Sequence, residues 1–139
     1  KVLTVRVDES LYFANARYLE DAIYGLVADH PAVTDVVLMC PAVNHIDASA
    51  LESLEAIVER LDHAGVRFHL SEVKGPVMDK LIRVNFLDRL TGEVFLSQHA
   101  AMQELDPERT GMADAGKQPP LKIPNHRNGG SGCGAASER

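Results

Sequence analysis

Residues 1–106 are expected to form a layered α/β domain, a mixed β-sheet of about five strands with about four to five helices. Three observations predict it. Strand-like and helix-like hydrophobic patterns alternate along the chain. The apolar run Val36-Val37-Leu38-Met39-Cys40 is short, β-branched and uninterrupted, as suits a central strand covered on both faces. Leu51, Leu54, Ile57, Val58 and Leu61 recur at helical spacing. Strand-helix-strand order implies parallel pairing through right-handed crossovers. An opening hairpin-like pair is expected to make the sheet mixed.

Leu3, Val5 and Val7 alternate with Thr4 and Arg6, the period of a half-buried strand. After Asp8-Glu9-Ser10, the run Leu11-Tyr12-Phe13-Ala14 reads as a second short strand paired with the first. From Ala16 to about Asp29, Leu19, Ile23, Leu26 and Val27 return at helical spacing. His30-Pro31 ends that helix, because a residue before proline is pushed out of the helical region. The apolar run at residues 36–40 follows, bounded by Asp35 and Pro41. In the next helix Glu52, Glu55, Glu59 and Asp62 fill the positions between the apolar ones, and Gly65 closes it. Residues 67–71 read as a strand. Gly75-Pro76 opens a helix carrying Val77, Met78, Leu81 and Ile82, with Leu87 a candidate extension; proline fits a first helical turn. Val94-Phe95-Leu96 reads as a last short strand, and an amphipathic helix covers residues 100–105. From Pro107 the pattern collapses. Prolines 107, 119, 120 and 124 and a glycine-rich stretch make residues 107–139 a flexible tail.

The bulk numbers narrow the function. The 139 residues fit one domain. No apolar run reaches the roughly 18 residues of a membrane-spanning helix, so the piece is expected to be soluble by itself. It opens at Lys1, inside a strand pattern and without Met, and reads as excised from a longer polypeptide. The net charge of −6 divides into +2 on the tail and −8 on residues 1–106. An acidic body is a poor partner for nucleic acid, whose binding rests on phosphate neutralisation. Cys40 and Cys133 form no CxxC pair, which argues against structural zinc and a disulfide framework and for a reducing compartment.

Chemistry concentrates in Asn44-His45-Ile46-Asp47-Ala48-Ser49-Ala50, which joins the buried strand to the acidic helix. Ligands of open α/β sheets gather at the carboxyl ends of strands, and helix N-termini present unpaired amides. Ser49 with Glu52 matches the capping box, and Asp47 is an alternative cap. Against capping stands a second reading, in which Ser49 accepts a phosphoryl group favoured by the helix dipole. Lys74, ahead of a helix N-terminus, joins Asn44 and His45 as a candidate anion-binding or docking loop. Glu52, Glu55 and Glu59 line one helix face, a candidate docking surface for a basic partner. The six histidines form no HxH or HExxH cluster, and neither a Walker A nor a GxSxG pattern is present. No catalytic residue, metal site or cofactor is expected.

The segment from Val43 to Leu51 resembles the signature loop of STAS domains, an Asp-x-Ser-(Gly/Ala)-(Leu/Val) motif leading from a buried strand into a helix. The match is closer to STAS domains of bacterial SulP permeases, relatives of the SLC26 transporters. It is carried also by Val7-Asp8-Glu9-Ser10-Leu11-Tyr12-Phe13-Ala14-Asn15-Ala16 and by Leu70-Ser71-Glu72-Val73-Lys74-Gly75-Pro76-Val77-Met78, and it covers about residues 1–105.

The resemblance implies an anti-sigma-factor-antagonist-like fold. It also implies a non-catalytic regulatory domain at the cytoplasmic face of the membrane, attached to the transport unit of an anion carrier. Sulfate, bicarbonate and related anions are the substrates of such carriers. It allows for a cytoplasmic protein partner and for a homodimer. In the related anti-sigma-factor antagonists the motif is Asp-Ser-Ser-Gly and its second serine is phosphorylated. Ser49 falls on that serine and Asp47 on the aspartate, while Ala48 and Ala50 replace the first serine and the glycine. A free-standing phosphoswitch of that kind is the alternative reading.

Overall fold

The computed structural model describes residues 1–108 and 121–123. Ten elements follow in order: strand β1 (Val2–Val7), helix α1 (Phe13–Asp29), β2 (Asp35–Met39), α2 (Ala48–His63), β3 (Arg67–Ser71), α3 (Gly75–Arg83), a 3-10 turn (Phe86–Asp88), β4 (Val94–Phe95), α4 (Gln98–Leu105) and β5 (Leu121–Ile123). The strands form one sheet in the order β4-β3-β2-β1-β5.

The alternation of strand and helix yields a layered α/β fold as expected, but the sheet is not mixed. Among the described residues every pairing is parallel, with Val5 opposite Leu38 and Val36 opposite Phe68. The expected opening hairpin fails because Phe13 and Ala14 belong to the first turns of α1. Asn15, three residues into that start, decides the matter. Its Oδ1 accepts from Tyr12 N at 2.7 Å, so one of the orphan amides of a helix start finds a partner there. Leu11 keeps only an isolated parallel bridge to Ile46. β5 falls within the segment read as a tail and pairs with the outer edge of β1. The remaining calls on residues 109–120 and 124–139 lie outside the described residues.

Connections β1–α1–β2, β2–α2–β3 and β3–α3–β4 step across the sheet in one direction. Crossovers of one hand then stack their helices on one face. The main core lies there: Val5, Val7, Val36, Leu38, Phe68 and Leu70 of the sheet pack with Leu19 and Ile23 of α1, Leu54 and Ile57 of α2 and Leu81 of α3. α1 opens at Phe13 and closes at Asp29, where His30 caps ahead of Pro31. α2 closes through Gly65, whose φ of +76° is the left-handed conformation a glycine adopts without cost. α3 stops at Arg83, short of Leu87, because Asn85 turns left-handed at φ 62° and starts the separate 3-10 turn.

The opposite face is more polar. Val2 and Val37 pack there against Ala101 of α4, with Phe95, Met102 and Leu105 at the margin. Gln98 bridges the strands, donating to Thr4 Oγ1 at 3.1 Å and accepting from Ser71 Oγ at 2.8 Å. No described helix is long and apolar enough to cross a membrane.

Candidate functional site

Because β1, β2 and β3 are parallel, the loops leaving their carboxyl ends meet along one edge of the sheet. There residues 8–12, 40–47 and 72–74 form a connected platform. Ser10, 9% exposed, is its hub. Its hydroxyl oxygen accepts from the successive amides of Asn44 and His45, each at 3.0 Å. Its carbonyl accepts from the buried Asn15 Nδ2 at 2.7 Å. Leu11 N donates to His45 O at 2.9 Å and Asp47 N to Leu11 O at 3.1 Å, which lays residues 44–47 alongside the end of the first loop.

The other side of residues 44–47 is held by lysines of the α3 region. Lys74 Nζ donates to Asn44 Oδ1 at 2.7 Å, and Lys80 Nζ to the Ile46 carbonyl at 2.6 Å. The structure therefore brings Asn44 and Lys74 into direct contact. His45 is exposed, with its ring 5.7 Å from that of Tyr12. Next to it Phe13, 55% exposed, carries the Arg17 guanidinium 5.9 Å above its ring.

Asp47, not Ser49, caps α2. Asp47 Oδ1 accepts from Ala50 N at 2.8 Å while its carbonyl accepts from Leu51 N. Ser49 lies inside the first turn with its side chain exposed, so the Ser49–Glu52 capping box expected from spacing is not formed. Its hydroxyl faces solvent beside a helix N-terminus, where negative charge is stabilised.

The acidic face of α2 is real but uneven. Glu52 and Glu59 are exposed, whereas Glu55 is half-buried and paired with Arg89 Nη1 at 3.1 Å. Glu52, Glu55, Glu59 and Asp62 border an open groove of about 500 Å³ that is closed on its other side by Arg89 and Thr91. No group of three or more His, Cys, Asp or Glu side chains among the described residues is placed to hold a metal ion.

Spacing alone missed Ser10, Asn15 and Lys80. Ser10 and Lys80 act on the backbone of a distant segment, and a contact 34 residues away leaves no local signature, while Asn15 acts locally on Tyr12 N and Ser10 O. It also missed a buried polar cluster at the opposite end of the sheet. Asp35 is bonded there to Thr34, Arg67 and the fully buried His69.

Comparison with known proteins places this geometry. The family model of the STAS domain matches residues 1–101. Sulfate transporter 1.3 of Arabidopsis thaliana is 26% identical, over 77% of this chain and 18% of that protein. High affinity sulfate transporter 2 of Stylosanthes hamata is 25% identical over the same shares. The chain thus spans under a fifth of the relatives it matches. Among solved structures, the SulP transporter STAS domain from Vibrio cholerae superposes with a TM-score of 0.56, 19% identity and coverage of 76% of this chain and 85% of that one. The NMR structure of the protein TM1081 gives 0.62 and 19%, covering 77% and 82%.

Proposed function

This chain belongs to the STAS domain family, and from that premise we propose that it is the cytoplasmic regulatory module of a SulP-type anion transporter, acting by docking rather than by catalysis. One observation carries the reading. The family match covers residues 1–101, from β1 into α4, while a sulfate transporter aligns with this chain over only 18% of its own length. A module of that kind has its transport path in the remainder of the polypeptide. Sulfate is the anion that the relatives' names suggest.

Two neighbouring surfaces suit docking. The first is the loop of Asn44, His45 and Lys74, held rigid by Ser10 and Lys80. A loop ordered before it binds loses little entropy on association. The second is the exposed pair Glu52 and Glu59 on α2, whose charge attracts a basic surface. Glu55 contributes less, because Arg89 already neutralises it. Ser49, exposed in the first turn of α2, is the candidate phospho-acceptor between the two surfaces. A phosphopeptide containing Ser49, recovered from cells that make the full-length protein, supports that role. Its absence at full coverage removes it.

The test of the module's role is uptake of labelled sulfate by cells making the full-length polypeptide with Glu52→Lys and Glu59→Lys together. Uptake is expected to fall several-fold while the protein reaches the membrane in normal amount. Unchanged uptake removes the α2 face from the interface, and unchanged uptake after deletion of residues 1–106 overturns the regulatory reading as a whole.

A further inference from the structure

The sheet face under α4 holds a buried histidine whose two ring nitrogens have opposite duties. His69, on β3, is 0% exposed. Its Nε2 lies 2.8 Å from Asp35 Oδ1, and its Nδ1 lies 3.0 Å from Glu93 N. An amide N–H only donates, so Nδ1 accepts, Nε2 carries the proton and the ring is neutral.

The acceptor at Nδ1 sits at the centre of the attachment of residues 91–95. Phe68 N donates to Thr91 Oγ1, Gly92 N to Phe68 O and Leu70 N to Glu93 O, each at 3.0 Å. Glu72 N donates to Phe95 O at 3.2 Å, and the Phe95 ring lies 5.7 Å from the imidazole. Gly92 is pressed so closely on His69 that a Cβ there would lie 2.4 Å from Nδ1. β4 is an edge strand of two residues, so residues 91–95 depend on these bonds for their place on the sheet, whereas α4 behind them is held separately by Gln98 and Ala101.

We propose that His69 is a pH latch: a proton taken up at Nδ1 turns the acceptor for Glu93 N–H into a second donor facing it, and residues 91–95 come away from the edge of β3. The charged groups around the ring bear this out. From β2 the Asp35 carboxylate holds Nε2–H, and Arg67 of β3 is bonded to the same oxygen at 2.9 Å. They steady the ring without offering Nδ1 an acceptor. From the β4 side the Glu93 side chain is exposed, the Glu72 carboxylate is taken by Gln98 N, and His99 of α4 is exposed. Release frees the edge of β3 and the Phe95 ring, while Gln98 and Ala101 keep α4 over Val2 and Val37. The latch thus couples protonation of the ring to the attachment of one sheet edge.

The test is amide hydrogen exchange on the 139-residue chain at pH 7.5 and pH 5.5, expressed as protection factors, with ¹⁵N shifts of the His69 ring recorded alongside. Between the two pH values the Nδ1 shift is expected to move to that of a protonated nitrogen. Protection of Leu70, Gly92 and Glu93 is expected to fall about tenfold or more, while Val36 to Leu38 keep theirs. In His69→Gln, which does not titrate, the difference between the two pH values is expected to vanish. A ring that stays neutral, a ring that is protonated while protection holds, or a uniform loss across the whole sheet each overturns the latch.

Discussion

Asp47 Oδ1 accepts from Ala50 N at 2.8 Å, and this hydrogen bond sets where α2 begins. Ser49, two residues on, therefore has no capping work to do. Asp47→Ala is expected to lower unfolding stability by about 1 kcal/mol, and Ser49→Ala by less than about 0.5 kcal/mol. Urea unfolding of the two variants checks the order. Equal costs would return the cap to Ser49.

Ser10→Ala removes the acceptor shared by the amides of Asn44 and His45. Two backbone donors then lose their partner at a site where Ser10 is almost wholly buried, at a cost of about 1–3 kcal/mol. The local signature is faster amide exchange at Asn44 and His45, with the α1–α2 core unaffected.

Gly92→Ala tests the close packing of residues 91–95 on β3. The added Cβ would lie 2.4 Å from His69 Nδ1 and 2.5 Å from the Phe68 carbonyl oxygen, and backbone does not yield as a long side chain would. A loss of about 1–3 kcal/mol in denaturant unfolding is expected. A neutral result would mean that the segment adjusts freely.

Burial opposes ionisation of Asp35, but hydrogen bonds from His69 and Thr34 and the Arg67 charge outweigh it, holding its carboxyl below the ordinary carboxylate value. The sign follows: a depressed folded value contributes stability that is complete above the unfolded pKa of about 3.9 and is lost as pH falls through the folded one. Asp35→Asn is expected to flatten the stability–pH curve below about pH 4.

Burial pushes the Cys40 thiol up to about 12. Since the thiolate is the reactive form, Cys40 in a Cys133→Ser chain is expected to stay unlabelled by a thiol reagent at pH 8 until the protein unfolds. Labelling at the native rate of an exposed thiol would show that the core opens there.

Much of the fold was legible because hydrophobic period reports one-sided burial. The α2 stripe and the continuous run in β2 each correspond to a surface that the fold covers. Residues 11–14 misled for a physical reason. Tyr12 and Phe13 have strand-like composition, but both are exposed and an Asn15 hydrogen bond starts a helix over them. That one reversal turned the expected mixed sheet into a parallel one. At the candidate site the loop itself was legible from its position between strand and helix. What holds it was not, since Ser10 and Lys80 bind main-chain atoms about a third of the described chain away. Nor did spacing indicate that Arg89 takes up Glu55.

Accessibility of the α2 face inside the whole transporter settles whether it docks. Cysteines introduced by Glu52→Cys and Glu59→Cys, with Cys133 replaced by Ser, would be labelled in the isolated 139-residue chain and in the full-length polypeptide in native membranes. Labelling about tenfold slower in the full-length protein is the expected result. Equal rates in both settings would mean that this face meets only water, and would contradict the docking role proposed for it.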